Sequence, residues 1–247
     1  MDDDVRNARR TADDAIYVGE NRYAEPKEIF KFLGQRIAPY ARKDASFLDV
    51  GCAAGELLYY VHGQFTELQL WGVDVSELML AKAREHVPTA VFERRDILSA
   101  PCPTDRQYDI VTCVGVVQIF DDLHVPLKNL VSRVRPGGVL FVEGIVNPHP
   151  IDVIVRYRTV DPEYSAWEPG WNLWSTITFD RVLNNIDGVE WQWHDFRLPF
   201  AVPKKPDPMR TWTIRTEENP FQLVNGASQL ITTKVLEVRV KEETVSR

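Results

Sequence analysis

The sequence predicts an α/β fold, with strands and helices alternating around a mostly parallel sheet. Three stretches carry that expectation. Residues 47–55, Phe-Leu-Asp-Val-Gly-Cys-Ala-Ala-Gly, form an apolar run that ends at Asp49 and breaks at Gly51 into small residues. Leu57, Leu58, Val61 and Phe65 follow at helical spacing. Residues 68–73 are a second apolar run, ending in Asp74, and Ser76 then stands as an N-cap before Leu78, Met79, Ala83 and Val87. The stretch from Tyr108 to Glu143 reads as strand, helix and strand, the unit of a parallel crossover.

The chain has 247 residues, 44% of them hydrophobic, enough for one generous domain with its own core. A net charge of −7 gives no electrostatic footprint for duplex DNA or RNA, so no nucleic-acid partner is expected. The cysteines, Cys52, Cys102 and Cys113, lack metal-ligand spacing and read as reduced thiols, so no metal is expected. The start, Met-Asp-Asp-Asp, is the reverse of a signal peptide's basic opening, and no apolar run is long enough to span a bilayer. The expectation is a soluble cytoplasmic protein with no membrane partner. Its oligomeric state is not legible.

Residues 1–16 are polar and read as loosely ordered. Tyr17, Asn21, Arg22 and Tyr23 precede a helix over about 26–40, with Ile29, Phe30, Leu33 and Ile37 on one face. After the first two strand–helix pairs comes a short third strand, 90–92, with Asp96 and Ile97 beyond it. Residues 99–107 are loop by composition. The fourth strand, 108–113, continues through Val114 toward Gln118. Asp121 and Asp122 precede a helix through Leu127, Leu130 and Val134, and Arg135-Pro136-Gly137-Gly138 stops it. Both acids read as charges at a helix N-terminus. The fifth strand, 139–143, ends at Glu143.

Beyond Gly144 the composition shifts. Residues 145–176 are rich in aromatics and arginine, a helix is expected over 178–186 and a strand over 189–196. A second irregular stretch spans 197–226, and 228–240 is the last strand. Of seven tryptophans only Trp71 falls in the first half; the others either line a substrate pocket or fill small cores within the inserts.

The glycine loop narrows the ligand. Gly51 permits a turn closed to other residues, and Ala53, Ala54 and Gly55 let main chain approach whatever lies above the strand. A dinucleotide fingerprint needs G-x-G-x-x-G, whereas the order here is Asp-x-Gly-x-x-x-Gly. No P-loop lysine follows Gly55. An acid at the tip of the second strand, Asp74, suits the two hydroxyls of a ribose.

These residues resemble motif I of the class I S-adenosylmethionine-dependent methyltransferases, with Ala53 where that family more often has glycine. The resemblance implies a Rossmann-like, doubly wound, mostly parallel seven-stranded sheet with an antiparallel last strand. One domain, 1–247, then divides into an N-terminal cap and helix (1–45), a cofactor half (46–144) and substrate-side inserts (145–176 and 197–226). It also implies S-adenosyl-L-methionine as cofactor, held by Asp49, Gly51, Cys52, Ala53, Gly55, Asp74, Val75, Met79, Asp96, Ile97, Cys113 and Val114. An N-terminal segment with Tyr17 and Tyr23 would fold over the cofactor, unless those tyrosines are plain surface aromatics.

The Asn- or Asp-Pro-Pro-aromatic signature of amino-group methylation is absent after the fourth strand, which favours oxygen as the acceptor atom. Candidate proton acceptors are His149, ranked first, Glu143 and His124. The expected partner is a small-molecule acceptor, a sugar or related metabolite by resemblance to bacterial glycan-decorating enzymes. The rivals are a dinucleotide-dependent oxidoreductase and a non-catalytic cofactor-binding module.

Overall fold

A computed structural model describes residues 22–99, 105–161 and 163–242. Tyr17 and Cys102 lie outside the described residues. The first helix, α1 (Glu28–Ile37), precedes β1 (Ser46–Val50), α2 (Glu56–Gln64), β2 (Gln69–Asp74), α3 (Glu77–His86) and β3 (Val91–Arg94). Then come β4 (Tyr108–Val114), α4 (His124–Ser132) and the long β5 (Val134–Asn147). The second half holds β6 (Arg156–Tyr157), β7 (Glu168–Pro169), β8 (Trp174–Ser175) and α5 (Thr176–Leu183). It closes with β9 (Val189–Phe196), β10 (Trp212–Ile214), β11 (Gln222–Val224) and β12 (Leu230–Val240).

The central order is β3-β2-β1-β4-β5, all parallel, with β12 inserted antiparallel between β5 and β9. The last strand is antiparallel as expected. The sheet has ten strands rather than seven, because the inserts add β8 along β5 and β10–β11 along β12.

Period-2 alternation explains the two helical layers. Phe47, Ile110, Val139 and Phe141 point to one side and pack with Phe30, Leu33, Leu57, Leu58 and Leu80 of α1–α3. Their neighbours Leu48, Val111, Leu140 and Val142 point the other way, onto Leu127, Leu130, Phe179 and Val182 of α4 and α5. Every residue of β1 is buried, as a strand covered on both faces requires.

Local boundaries differ from the expectation at β5. Val134 opens the strand instead of closing the helix, and pairs with Tyr108; the register then jumps to Ile110 opposite Val139. Residues 135–138 bulge out opposite the single residue Asp109, with Gly137 at φ +77°. The α5 helix starts two residues early because Ser175 Oγ accepts from the Ile177 N–H at 3.2 Å and caps it.

Candidate functional site

The carboxyl ends of β1, β2, β4 and β5 meet around a cleft of ≈ 650 Å³. Its floor is the loop after β1. Gly51, Ala53 and Gly55 all have positive φ, at +74°, +45° and +77°. The Gly51 and Cys52 N–H groups both donate to the Val73 carbonyl, at 2.8 and 3.0 Å, and fasten the loop to the end of β2. A Cβ on Gly51 would lie 2.4 Å from Val116 Cγ2, so main chain alone fits there. Gly55 faces away from the cleft, where a Cβ would press on Ala83 at 3.0 Å.

Asp74, at the tip of β2, binds this loop. Its Oδ2 accepts from the Ala53 N–H at 2.9 Å and its Oδ1 from the Ser76 N–H at 2.8 Å. A carboxylate oxygen has two lone-pair sites, so each keeps one for a ligand. Asp49 is 3% exposed and accepts from Thr112 Oγ1 at 2.7 Å. Burial pushes its carboxyl up to about 7; the Thr112 hydrogen bond opposes this and the neighbouring Asp74 charge adds to it. Beyond β3, Asp96 Oδ1 accepts from the Leu98 N–H at 2.9 Å, and Asn129 of α4 fastens this turn by donating to the Ile97 carbonyl at 2.7 Å.

Of the sequence-derived cofactor residues, Asp49, Gly51, Cys52, Ala53, Asp74 and Val75 line the cleft, as do Met79, Asp96, Ile97 and Val114. Cys113 does not: it is wholly buried beneath β4, pointing into the opposite layer. Tyr23 supports the loop from behind, its hydroxyl donating to the Ala54 carbonyl at 2.7 Å while its ring lies 3.8 Å from that of His86.

Among the proposed proton acceptors, only Glu143 is in the cleft wall. It is half-buried, and burial pushes its carboxyl up to about 7 against the pull of Lys27 and the Gly115 N–H. His149 is exposed in the turn after β5, with its carbonyl accepting from Ser175 Oγ at 2.7 Å. His124 is exposed at the start of α4, with Nδ1 2.9 Å from Asp122 Oδ1. Neither imidazole lines the cleft. Ranking by residue type put His149 first; strand ends, which decide placement, leave only the carboxylate there.

The far wall comes from distant segments: Ile29 and Phe30 of α1, Ile119 and Phe120 after β4, and Pro169 and Trp171 of the first insert. Asn172 fastens that insert. Fully buried, it donates through Nδ2 to the Phe120 carbonyl at 2.8 Å and to Asp121 Oδ1 at 3.1 Å, and accepts at Oδ1 from the Val155 N–H at 2.9 Å. Asp121 also pairs with Arg156. Asp121 therefore serves the insert and not the α4 N-terminus, which Asp122 supplies by accepting from the His124 N–H at 2.9 Å. A lone asparagine between Trp171 and Leu173 carried no periodic signal, so its role was invisible before the fold. Two other tryptophans are structural: the indole N–H groups of Trp191 and Trp193 both donate to Asp180 Oδ1, at 2.8 and 3.2 Å, tying β9 to α5.

Among the described residues, no three His, Cys, Asp or Glu side chains are grouped to hold a metal ion, and no helix is long and apolar enough to cross a membrane.

Residues 48–140, from β1 to the middle of β5, match a family model described as a methyltransferase domain. This segment is similar to known methyltransferase domains. The chain is 33% identical over 99 residues to trans-aconitate 2-methyltransferase of Variovorax paradoxus, covering 40% of this chain and 38% of that protein. A longer match, 28% identical over 161 residues, is to malonyl-[acyl-carrier protein] O-methyltransferase of Enterobacter lignolyticus, covering 65% of this chain and 61% of that one. The chain thus spans less than two thirds of the length of these relatives. Among solved structures, the amino pentose methyltransferase CalS10 of Micromonospora echinaspora superposes with a TM-score of 0.55 at 16% identity, covering 94% of this chain and 98% of that one. At that identity the likeness is one of fold.

Proposed function

We propose that the cleft binds S-adenosylmethionine and that the protein is a methyltransferase acting on an oxygen atom of a small molecule. The observation that carries this is the acidity of the lining: five acidic side chains, Asp49, Glu56, Asp74, Asp96 and Glu143, against two basic ones, Lys27 and Arg95. Of the five, Asp49 and Glu143 are only partly ionised at neutral pH. Such a lining attracts a sulfonium and repels the pyrophosphate of a dinucleotide. The local chemistry fits the cofactor. The bare main chain at Gly51 leaves room for its amino-acid part, Asp74 keeps lone pairs for ribose hydroxyls, and Asp96 with the Ile97 backbone suits an adenine edge.

When bound, S-adenosylmethionine supplies an electrophilic methyl group on sulfur. The protein's own contribution is alignment and proton handling. The loop after β1 and the tips of β2 and β3 fix one partner, while the wall of Phe30, Phe120 and Trp171 confines the other and excludes water. Glu143, at the end of β5, is the proton acceptor for a hydroxyl nucleophile. With its carboxyl near 7, it is deprotonated often enough at neutral pH and basic enough to take the proton. Of the two relatives, the one named an O-methyltransferase supports oxygen as the acceptor atom, and the one named for trans-aconitate supports a small molecule as the acceptor. Sequence resemblance suggests a sugar hydroxyl, an acceptor that the largely apolar far wall of the cleft disfavours.

Thermal denaturation with S-adenosylhomocysteine and with NAD separates the two cofactor classes. At a hundredfold excess over Kd, a specific ligand stabilises by ~2.7 kcal/mol. The expected result is a raised Tm with S-adenosylhomocysteine alone; a rise with NAD alone would point to the oxidoreductase.

A further inference from the structure

The cleft is asymmetric along the strand order. Polar side chains gather at the ends of β1, β2 and β3, where Asp49, Asp74 and Asp96 stand. The wall around β4, β5 and the insert is largely apolar: Ile29, Phe30, Ile119, Phe120, Pro169 and Trp171, with Glu143 and the Lys27–Glu56 ion pair (3.5 Å) supplying the polar side chains. Resting on the proposed cofactor site, we infer that the acceptor is a flat, apolar hydroxyl compound, a phenol or a naphthol-like ring, and neither a sugar nor a carboxylate.

Two physical arguments select this class. A sugar carries a hydroxyl on nearly every carbon, and each one buried without a partner costs about 1–3 kcal/mol. A wall with three polar side chains, two of them paired with each other, cannot satisfy a full set. A planar ring needs one polar contact and otherwise rewards burial against aromatic faces, preferring offset or edge contacts with Phe30, Phe120 and Trp171. A carboxylate acceptor fails on charge, because it would enter a cleft holding five acidic side chains and two basic ones. A neutral hydroxyl avoids that repulsion, and its hydrogen is accepted by the Glu143 carboxylate.

The wall is also held in place. Asn172, adjacent to Trp171, is hydrogen-bonded to the segment carrying Phe120, and the Arg156–Asp121 pair joins the same two segments. An apolar surface fixed in this way is preorganised for a rigid ligand and not collapsed on itself.

The test is binding, independent of turnover. The full chain is first titrated with S-adenosylhomocysteine; failure to bind it overturns the cofactor reading, and the probes are then titrated into the unloaded protein. Saturation-transfer NMR at pH 8 compares 2-naphthol, 2-naphthoate and methyl α-D-glucopyranoside. The expected order is 2-naphthol bound at least about tenfold more tightly than either of the others. Trp171→Ala should weaken 2-naphthol by about tenfold or more while S-adenosylhomocysteine affinity stays within about twofold of the parent. Ile119→Ala, in the segment after β4, provides the same readout should the tryptophan variant fold poorly. Equal or tighter binding of the glucoside or the naphthoate overturns the inference, and so does 2-naphthol binding that neither substitution changes.

Discussion

The Ala53 N–H donates to Asp74 Oδ2 at 2.9 Å, a bond across 21 residues that fastens the loop after β1 to the tip of β2. The carboxylate that faces the cleft therefore also holds the conformation of the loop, with Ala53 itself at φ +45°. Loop shape and ribose recognition share one side chain, and substitutions on either side of the bond should report on both.

Gly51→Val should abolish binding of S-adenosylhomocysteine. Even a methyl group there would sit 2.4 Å from Val116 Cγ2, and φ +74° costs a residue with a side chain about 1–2 kcal/mol. The steric and backbone parts are separable. Gly51→Ala should weaken the ligand, and adding Val116→Ala should restore most of the loss without reaching the parent affinity. Calorimetry on the three variants measures this; a double variant no better than Gly51→Ala would place the obstruction elsewhere.

Asp49→Asn should stabilise the protein at pH 8 and have little effect near pH 4. The buried carboxyl has its ordinary value of 3.8 raised to about 7, so its protonated form is favoured in the folded state. Its contribution to stability is complete below about pH 4 and lost as pH rises through about 7, a difference worth at most about 4 kcal/mol. Asparagine keeps an oxygen for the Thr112 hydroxyl and carries no charge. Urea denaturation at the two pH values tests the sign; equal stabilisation at both would show that desolvation of the charge is not the cause.

For Glu143, carboxyl-carbon NMR on glutamate-labelled protein should show one resonance titrating near 7 that disappears in Glu143→Gln. Lys27 lowers this value, so Lys27→Ala should move the midpoint higher still. A midpoint near the ordinary 4.5 would remove the basis for its role as proton acceptor.

Asn172→Ala should cost about 2–3 kcal/mol of stability, because the Val155 N–H and the Phe120 carbonyl lose their partner. Asn172→Asp should do no better: it can accept from Val155 but cannot donate to Phe120, and it adds a charge beside Asp121. Affinity for S-adenosylhomocysteine should stay within about twofold in both variants, since the residue serves the acceptor wall. A thermal scan with a parallel cofactor titration distinguishes the two effects.

What the sequence made legible is what lies close together in it. Asp49, Gly51 and Gly55 fall in one strand–turn–helix, and Asp74 and Asp96 end the next two strands, so parallel pairing brings them to a common edge. The apolar run at Phe47 and Leu48 read as a buried strand, and the structure covers it with helices on both faces. The acceptor wall was not legible, because it is assembled from α1, the turn after β4 and the insert, segments some 140 residues apart with no shared period. His149 and His124 were selected for what imidazole can do, without knowledge of where the turns carrying them point. Asp121 was read by its distance from a helix start, and its true partner, Arg156, comes 35 residues later. Cys113 was assigned to the cofactor by its position in the fourth strand, but the pleat turns that residue into the core.

The claim that Asp74 both shapes the loop and grips the cofactor is tested most directly by titrating S-adenosylhomocysteine into the parent protein and into Asp74→Ala by calorimetry. The expected result is saturable binding to the parent at one site, and a loss of about a hundredfold or more in the variant, ~2.7 kcal/mol. Equal affinity in the two proteins, or no heat of binding in the parent, would contradict it.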